Sequence, residues 1–234
     1  MNSAFAADFL AFVRGHASST PQGQSHSETD HLEYHIPVPT MRAYVADWLA
    51  AHEPLSQAEW LHTLDTLYNG ESLEERSAAG MLLKHHKTYR QQLPLDHLEG
   101  WLAQLHGWKE VDATCQTVFT PAEMYKRWSE WEAFLRRLAA NPNLNMQRAS
   151  LVLLVDVVRS SDDARGMALG VELMEALQDE RDKRVSKAVS WLLREAVKRH
   201  RAVVEQYLTT HHAHLPAPTV KEVQTKLATG KKRV

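Results

Sequence analysis

The sequence predicts an all-α protein built from stacked helical pairs, and three observations support this prediction. Helix-start signals recur along the chain, and apolar residues return at the 3.6-residue period of a helix. Glycine and proline are scarce, with nine of each in 234 residues, too few for a β-sandwich with many tight turns. A chain of this length also buries a sizeable core.

Four segments fit the capping box, in which a Ser or Thr side chain accepts a hydrogen bond from the third helical amide. A glutamate at that third position accepts from the amide of the Ser or Thr in return. The four segments begin at Ser56, Ser72, Thr120 and Thr219. Pro121 also occupies a first helical position, where its missing N–H removes no hydrogen bond. Each segment therefore predicts the start of a helix.

Apolar periodicity extends these starts into helices along most of the chain. In one of them Val185, Ala188 and Leu192 belong to a single apolar stripe. The run from Leu151 to Val158 is β-branched and apolar, as in a buried strand, but we predict a helix because no second strand could pair with it. The predicted helices lie near residues 3–14, 40–51, 56–69, 72–91, 95–105, 108–119, 121–140, 146–159, 164–178, 183–198, 201–211 and 220–228.

Helices of this length with short connections predict a solenoid of helical pairs, and HEAT-type units of such a solenoid span about 40–47 residues. We expect a single repeat domain over residues 31–228. Residues 1–30 are predicted to hold an N-terminal helix and a polar connector, since HASSTPQGQSHSETD is too polar to bury a core. Residues 229–234 are predicted to be a basic tail.

Charge is unevenly distributed between the two parts of the chain. Residues 1–100 carry 6 Lys and Arg against 13 Asp and Glu, whereas residues 101–234 carry 21 against 16. Such asymmetry suggests a nucleic-acid or membrane surface, and ordinary solvated helix faces are the alternative. No apolar run approaches 18 residues and no secretory signal is evident, so we expect no membrane partner. The single cysteine, Cys115, suits a reducing cytosol, and we expect a cytoplasmic protein.

Two stretches combine residues that could carry chemistry. Trp108 and Asp112 are four positions apart, so on a helix they lie on the same face. Arg148 stands in the first turn of an apolar helix. Each residue also has an ordinary interpretation, because tryptophan is usually core, Arg148 could be structural and Asp112 could neutralise a nearby lysine.

A third stretch contains Trp191, Arg194 and Lys198, which we predict on one helix face opposite the apolar stripe. Asp112 and Arg148 are 36 residues apart, and Arg148 and Trp191 are 43 apart. Both separations approximate one helical-pair repeat, so equivalent positions could present these groups on one concave surface. The residues alone indicate a groove and leave its chemistry open.

Other chemistries find less support in the sequence. The histidine pairs His85-His86 and His211-His212 point about 100° apart on a helix, as adjacent residues do, so they do not converge on one metal ion. Cys115 has no surrounding nucleophile signature and fits a small buried hydrophobe. Glycine-rich phosphate loops are absent, which argues against nucleoside-triphosphate chemistry.

The three stretches together resemble the AlkD-type DNA alkylation repair glycosylases, a family built from HEAT-like repeats. The family pattern is W-x-x-x-D, then an arginine within Q-R-A, then W-[VL]-L-R-E. This chain has Trp108 to Asp112, Gln147-Arg148-Ala149 and Trp191 to Glu195 in the same order and at matching separations. The resemblance covers roughly residues 30–230. It departs from the family at Pro37, where members carry a glutamine that contacts DNA.

The resemblance implies a right-handed α-α superhelix of HEAT-like helical repeats, and it implies a role for each residue. Asp112 corresponds to the catalytic carboxylate, Arg148 to a contact with the phosphate backbone at the lesion, and Trp108 and Trp191 to aromatic walls. The reaction implied is excision of cationic N3- or N7-alkylated purines from double-stranded DNA, which leaves an abasic site and needs no metal, nucleotide or organic cofactor.

Further DNA contacts are expected from Arg194 and Lys198, because the basic part of the chain must face the phosphates. We expect a monomer acting on alkylated duplex DNA. Two alternatives remain open, a non-catalytic protein that binds branched or damaged DNA and a helical-repeat scaffold that binds another protein.

Overall fold

In the computed structural model, which describes residues 3–17 and 29–231, the regular secondary structure is helical. This confirms the predicted all-α class. None of the described helices combines the length and apolar character needed to cross a membrane. The described residues form fourteen helices: α1 (Ala4–His16), α2 (Val38–Ala51), α3 (Gln57–Tyr68), α4 (Leu73–His85), α5 (Lys87–Gln92), α6 (Leu95–Leu102), α7 (Gly107–Cys115), α8 (Pro121–Lys126), α9 (Trp128–Ala139), α10 (Leu144–Ser160), α11 (Ala164–Ala176), α12 (Lys183–Ala196), α13 (Arg201–His211) and α14 (Ala217–Thr229).

The chain divides into two compact units, residues 1–118 and residues 119–234. The first, unit 1, contains α1 to α7, and the second, unit 2, contains α8 to α14. The predicted domain boundaries at 31–228 stay a prediction. Most of the predicted polar connector, residues 18–28, and the end of the predicted basic tail, residues 232–234, lie outside the described residues.

Three of the four predicted capping boxes are confirmed, those of α3, α4 and α8. At α4 the Ser72 hydroxyl accepts from the Glu75 amide at 3.2 Å, and the Glu75 carboxylate accepts from the Ser72 amide at 3.0 Å. The fourth prediction, at Thr219, is wrong, since α14 begins at Ala217. Pro216 and Pro218 lie on either side of Ala217 and restrict the backbone to angles that suit the first turn of a helix. The Glu222 carboxylate pairs with Arg194 and so does not cap the helix.

Two predicted helices are each divided in the structure. The helix predicted at 72–91 breaks at His86, where the guanidinium of Arg90 donates to the carbonyls of Leu83 and Lys84 in the last turn of α4. These carbonyls lack helical partners at a helix end, so the side chain stabilises the termination. The helix predicted at 121–140 breaks at Arg127, whose ψ of 39° lies outside the helical region.

In unit 1, α4 packs against α1, α2, α3 and α7. The core beneath it is apolar and fully buried, with Phe9, Trp60 and Leu82 among its members. Residues 29–37, which we call the strap, run beside the start of α4. Backbone hydrogen bonds fix the strap there, from the Leu32 amide to the Glu71 carbonyl and from the Leu73 amide to the Leu32 carbonyl.

In unit 2, α10 packs against α9, α11 and α12, and α12 packs against α14. The run from Leu151 to Val158 forms the middle of α10 and is buried except at Asp156. Its helical state confirms the prediction. Burial among neighbouring helices on several sides outweighs the β-branched composition of the run.

Candidate functional site

A cleft of about 590 Å³ lies in unit 1 and is walled by the strap and by parts of α2, α4 and α7. Helix α7 contributes Trp108 and Asp112, so the two residues predicted to share a helix face do line one cleft. Both side chains are half-buried. The cleft therefore exposes an aromatic ring and a carboxylate side by side to any ligand that enters.

The first turn of α7 is fixed by a buried carboxylate. Glu110 is fully buried, and its Oε2 accepts a hydrogen bond from the His106 amide at 2.8 Å. Its charge is balanced by Arg76, whose Nε lies 3.5 Å away, and Nδ1 of His31 lies 2.9 Å from the other carboxylate oxygen. Burial lowers the pKa of Arg76, and the Glu110 carboxylate opposes that change. This network ties the helix that carries Asp112 to α4 and to the strap.

The spacing between α4 and α7 depends on Gly80. A methyl group at Gly80 would overlap the carbonyl oxygen of Ala113, the residue that follows Asp112. Only a residue without a side chain allows the two helix backbones to approach so closely. This contact therefore sets the distance between α4 and α7, the helix that carries Asp112.

Carboxylates hold the strap against the helices. The Glu74 side chain accepts from the amides of Tyr34 at 3.1 Å and Ile36 at 3.3 Å. Glu33 pairs with Lys109 at 3.3 Å, which joins the strap to α7 at the edge of the cleft. His35 also lines the cleft and has a φ of 59°, in the left-handed region that few residues other than glycine adopt.

Exposure separates the tryptophans into two groups. Four of the seven are buried core residues, namely Trp48, Trp60, Trp101 and Trp131. Trp108 and Trp191, the two predicted as site residues, keep part of their surface exposed, as Trp128 also does. Trp128 has a partner of its own, since the Arg165 guanidinium lies 5.7 Å from its ring centre.

The predicted residues of unit 2 lie on or beside α10 and α12. Arg148 is buried, and its Nη1 donates to the carbonyl of Arg184 at 2.7 Å. This bond ties α10 to the first turn of α12. Arg148 therefore has a structural contact, and its predicted contact with DNA stays a prediction.

Trp191 and Arg194 lie on α12, whereas Lys198 does not. The helix ends at Ala196, so the predicted end at 198 is wrong, and Lys198 lies exposed in the following turn. The turn is closed by the His200 amide, which donates to the Ala196 carbonyl at 2.8 Å. Arg194 is buried, with its Nη1 3.0 Å from the Glu222 carboxylate.

The histidine-rich stretches have local partners. Nε2 of His211 lies 3.1 Å from Glu175, and its ring stacks on Tyr207 with the ring centres 4.4 Å apart. Among the residues that the structure describes, no three His, Cys, Asp or Glu side chains are grouped as metal ligands would be. The thiol of Cys115 is buried.

Sequence reasoning missed Glu110, Glu74 and the strap. The only signal for Glu110 is an acidic residue in the first turn of a helix, which the helix dipole favours at any helix start. The strap has no periodicity, and its partners are distant in sequence, as Tyr34 and Glu74 are 40 residues apart. A contact of that kind leaves no local pattern.

Comparison with known proteins gives a family and a similar solved structure. The model of a family described as DNA alkylation repair enzyme matches residues 16–227. The solved structure described as "Predicted DNA alkylation repair enzyme from Enterococcus faecalis" is 17% identical, with a TM-score of 0.68 over 97% of each chain. At this identity the similarity shows the fold alone, and it confirms the predicted helical-repeat fold. A search among curated proteins gives no significant match.

Proposed function

The chain belongs to the DNA alkylation repair enzyme family, and from this premise we propose that it is a monofunctional DNA glycosylase. The reaction is hydrolysis of the N-glycosidic bond of cationic N3- and N7-alkylated purines in double-stranded DNA. The observation that supports this activity is that Trp108 and Asp112 line the same cleft of unit 1.

The substrate itself provides a good leaving group. An N3- or N7-alkylated purine carries a positive charge, and the electron pair of the breaking C1′–N bond neutralises that charge. Positive charge then develops on the sugar as an oxocarbenium ion. Water adds to C1′ and loses a proton, which leaves an abasic site and the free base. The chain needs no metal or organic cofactor for any of these steps.

Asp112 acts on the charge that develops on the sugar. A carboxylate that is already in position stabilises an oxocarbenium ion without having to reorganise, and such electrostatic effects are commonly the largest in catalysis. Asp112 also orients the attacking water or accepts its proton. The buried Glu110 network and the Gly80 contact hold α7 in place and so contribute to this preorganisation.

The ring of Trp108 forms the aromatic side of the site. A cation over a tryptophan face gains about 0.5–2 kcal/mol, depending on how far it is desolvated. The same proposal assigns DNA contacts in unit 2 to Arg148, Trp191 and Lys198. For Arg194, burial and the ion pair with Glu222 favour a structural role over the predicted phosphate contact.

The decisive experiment measures release of 7-methylguanine from methylated duplex DNA by the purified protein. The same preparation is tested for binding to a four-way DNA junction. We expect base release by the wild type and its loss in Asp112→Asn. Tight junction binding without base release would instead identify a non-catalytic DNA-binding protein, and absence of both would support a scaffold for another protein.

A further inference from the structure

The cations of unit 1 are concentrated at the cleft. Residues 1–118 contain seven Lys and Arg residues against fifteen Asp and Glu residues. Arg76 and Arg90 are buried, whereas Arg42, Lys84 and Lys109 line the cleft. In an acidic part of the chain, most of the accessible positive charge is therefore gathered around one cavity.

Two of these cations form no ion pair with the residues that the structure describes. Lys109 is paired with Glu33 at 3.3 Å. Arg42 is exposed on α2, and Lys84 is exposed on α4, where its Nζ donates to the Thr117 hydroxyl at 3.0 Å. Within residues 3–17 and 29–231, neither Arg42 nor Lys84 forms an ion pair with a carboxylate.

The carboxylates that line the cleft differ in their contacts. Glu33 is occupied by Lys109, and Glu74 is buried and accepts two strap amides. Asp112 is the third carboxylate among the described residues that line the cleft. The cleft thus presents an aromatic ring and a carboxylate together with two exposed cations. A ligand that fits must bring a negative group for the cations and an electron-poor group for the carboxylate.

A nucleotide of an alkylated strand has both groups, since its phosphate is anionic and its sugar becomes positive as the base departs. We propose that Arg42 and Lys84 bind a backbone phosphate of the lesion-bearing strand, in the same cleft in which Asp112 faces the sugar. The identity of this ligand rests on the proposed function. The guanidinium of Arg42 suits a two-point contact with phosphate oxygens, and Lys84 acts as a point charge.

A phosphate contact is made equally in the ground state and in the transition state. Removing it weakens DNA binding and leaves the rate of the bound complex largely unchanged. It also reduces the number of counterions released on binding, so the slope of log K against log salt concentration falls by about 0.9 for each phosphate that the protein no longer neutralises. These signatures distinguish a phosphate contact from a catalytic residue.

The test compares Arg42→Gln and Lys84→Gln with the matched control Lys87→Gln, an exposed lysine at the start of α5 that does not line the cleft. Binding to duplex DNA with one alkylated purine is measured between about 50 and 200 mM salt. We expect the Arg42→Gln/Lys84→Gln double variant to lower the slope by about 0.9, each single variant to lower it by less, and the control to leave it unchanged. Single-turnover base release at saturating protein should be unchanged in the control Lys87→Gln, which lies outside the cleft.

A second measurement locates the phosphate. Neutral methylphosphonate groups replace single phosphates around the lesion, and the loss of affinity is compared between wild type and the Arg42→Gln/Lys84→Gln double variant. We expect one replacement that weakens wild type and has no further effect on the double variant. Additive losses at every position, or cleft variants that behave like Lys87→Gln, would overturn the phosphate site.

The two proposals fail in distinguishable ways. DNA binding and base release are measured in separate assays. DNA binding without base release therefore refutes the glycosylase proposal, and the phosphate site can still be tested. Absence of DNA binding by the wild type overturns both. Denaturant unfolding of each variant checks that the exposed substitutions have not changed the fold.

Discussion

Nη1 of Arg194 lies 3.0 Å from Oε2 of Glu222, and this ion pair joins the last turn of α12 to α14. The same carboxylate oxygen accepts from the Ser190 hydroxyl at 2.7 Å. The charge of Arg194 is therefore satisfied within unit 2. Lys198, two residues beyond the end of α12, is exposed to solvent.

The first prediction contrasts these two cations. Lys198→Gln should lower the slope of log K against log salt concentration by about 0.9, without loss of stability. Arg194→Gln should leave the slope nearly unchanged and lower the free energy of unfolding by about 1.5–3 kcal/mol, the range for hydrogen bonds to charged groups. DNA-binding titrations and urea unfolding separate the two. A lower slope with unchanged stability for Arg194→Gln would show that it contacts phosphate.

The second prediction concerns Asp112. Asp112→Asn keeps the size of the side chain and removes the charge that faces the developing oxocarbenium ion. We expect the single-turnover rate of 7-methylguanine release to fall about 100-fold or more. DNA affinity should be unchanged or higher, since a negative charge near phosphates is gone. Asp47→Asn, at an exposed position of α2, is the control. A rate within about threefold of wild type, far from the expected electrostatic effect, would refute the role.

The third prediction uses two tryptophans of opposite exposure. Trp60 is fully buried, and Trp60→Ala should lower the free energy of unfolding by about 3–5 kcal/mol. Trp191 is half-buried, and Trp191→Ala should cost less stability while slowing base release. Denaturant unfolding and single-turnover kinetics are measured on both variants. Equal losses of stability would assign Trp191 to the core.

The fourth prediction concerns lesion choice. A cationic 7-methylguanine or 3-methyladenine leaves without protonation, whereas neutral 1,N6-ethenoadenine must gain a proton. An ionised Asp112 cannot donate one, and the guanidinium of Arg148 holds its protons too tightly. Neutral lesions should therefore be excised more slowly by several orders of magnitude. Bulky N3 and N7 adducts should still be accepted, because the proposed contact of Asp112 is with the sugar and not with the base.

The assay for lesion choice includes His35→Gln as a control. Among the residues that line the described cleft, His35 is the one imidazole, and it lies 3.7 Å from Glu33. The variant should not alter release of cationic lesions. Efficient removal of ethenoadenine that depends on Asp112 or on His35 would contradict the mechanism.

The fifth prediction is a pH dependence of stability that originates at the start of α12. The side chain of Arg184 and, to a smaller extent, its backbone amide hydrogen-bond to Asp182 and lower the pKa of its carboxyl. A folded-state pKa below the unfolded value means that the unfolded chain binds more protons in acid. The stabilisation is complete above the unfolded pKa of about 3.9 and is lost as pH falls through the lower folded pKa.

Asp182→Asn tests this because asparagine keeps the capping oxygen and lacks the charge. The difference in unfolding free energy between wild type and variant should be constant from about pH 7 to pH 5 and shrink below about pH 4. Urea unfolding across this range measures it. A difference that persists unchanged to about pH 2 would exclude the carboxylate as its source.

The sequence predicts most of the helices because their signals are local. A capping box spans four residues, and the boxes at Ser56, Ser72 and Thr120 all form. Thr219 has the same pattern, but prolines on either side of Ala217 start α14 earlier. The breaks at His86 and Arg127 depend on side-chain contacts and backbone angles that no periodicity encodes.

The candidate site is less predictable than the helices. Helical spacing alone brings Trp108 and Asp112 to one side of α7. The cleft itself arises from the strap, and the strap is held by Glu74 and Glu110, which lie 40 and 79 residues from Tyr34 and His31 respectively. Such pairings are set by tertiary packing, and local sequence patterns do not reveal them.

Those sequence separations have a kinetic consequence for unit 1. Contacts across 40 or more residues close large loops, whereas the hydrogen bonds of α4 and α7 are local, so the strap is expected to dock after the helices have formed. Its amides at Leu32, Tyr34 and Ile36 depend on acceptors near or on α4. They should exchange with deuterium together, through an opening that leaves the helices folded. The wall of the cleft would then be the last part of unit 1 to assemble and the first to detach.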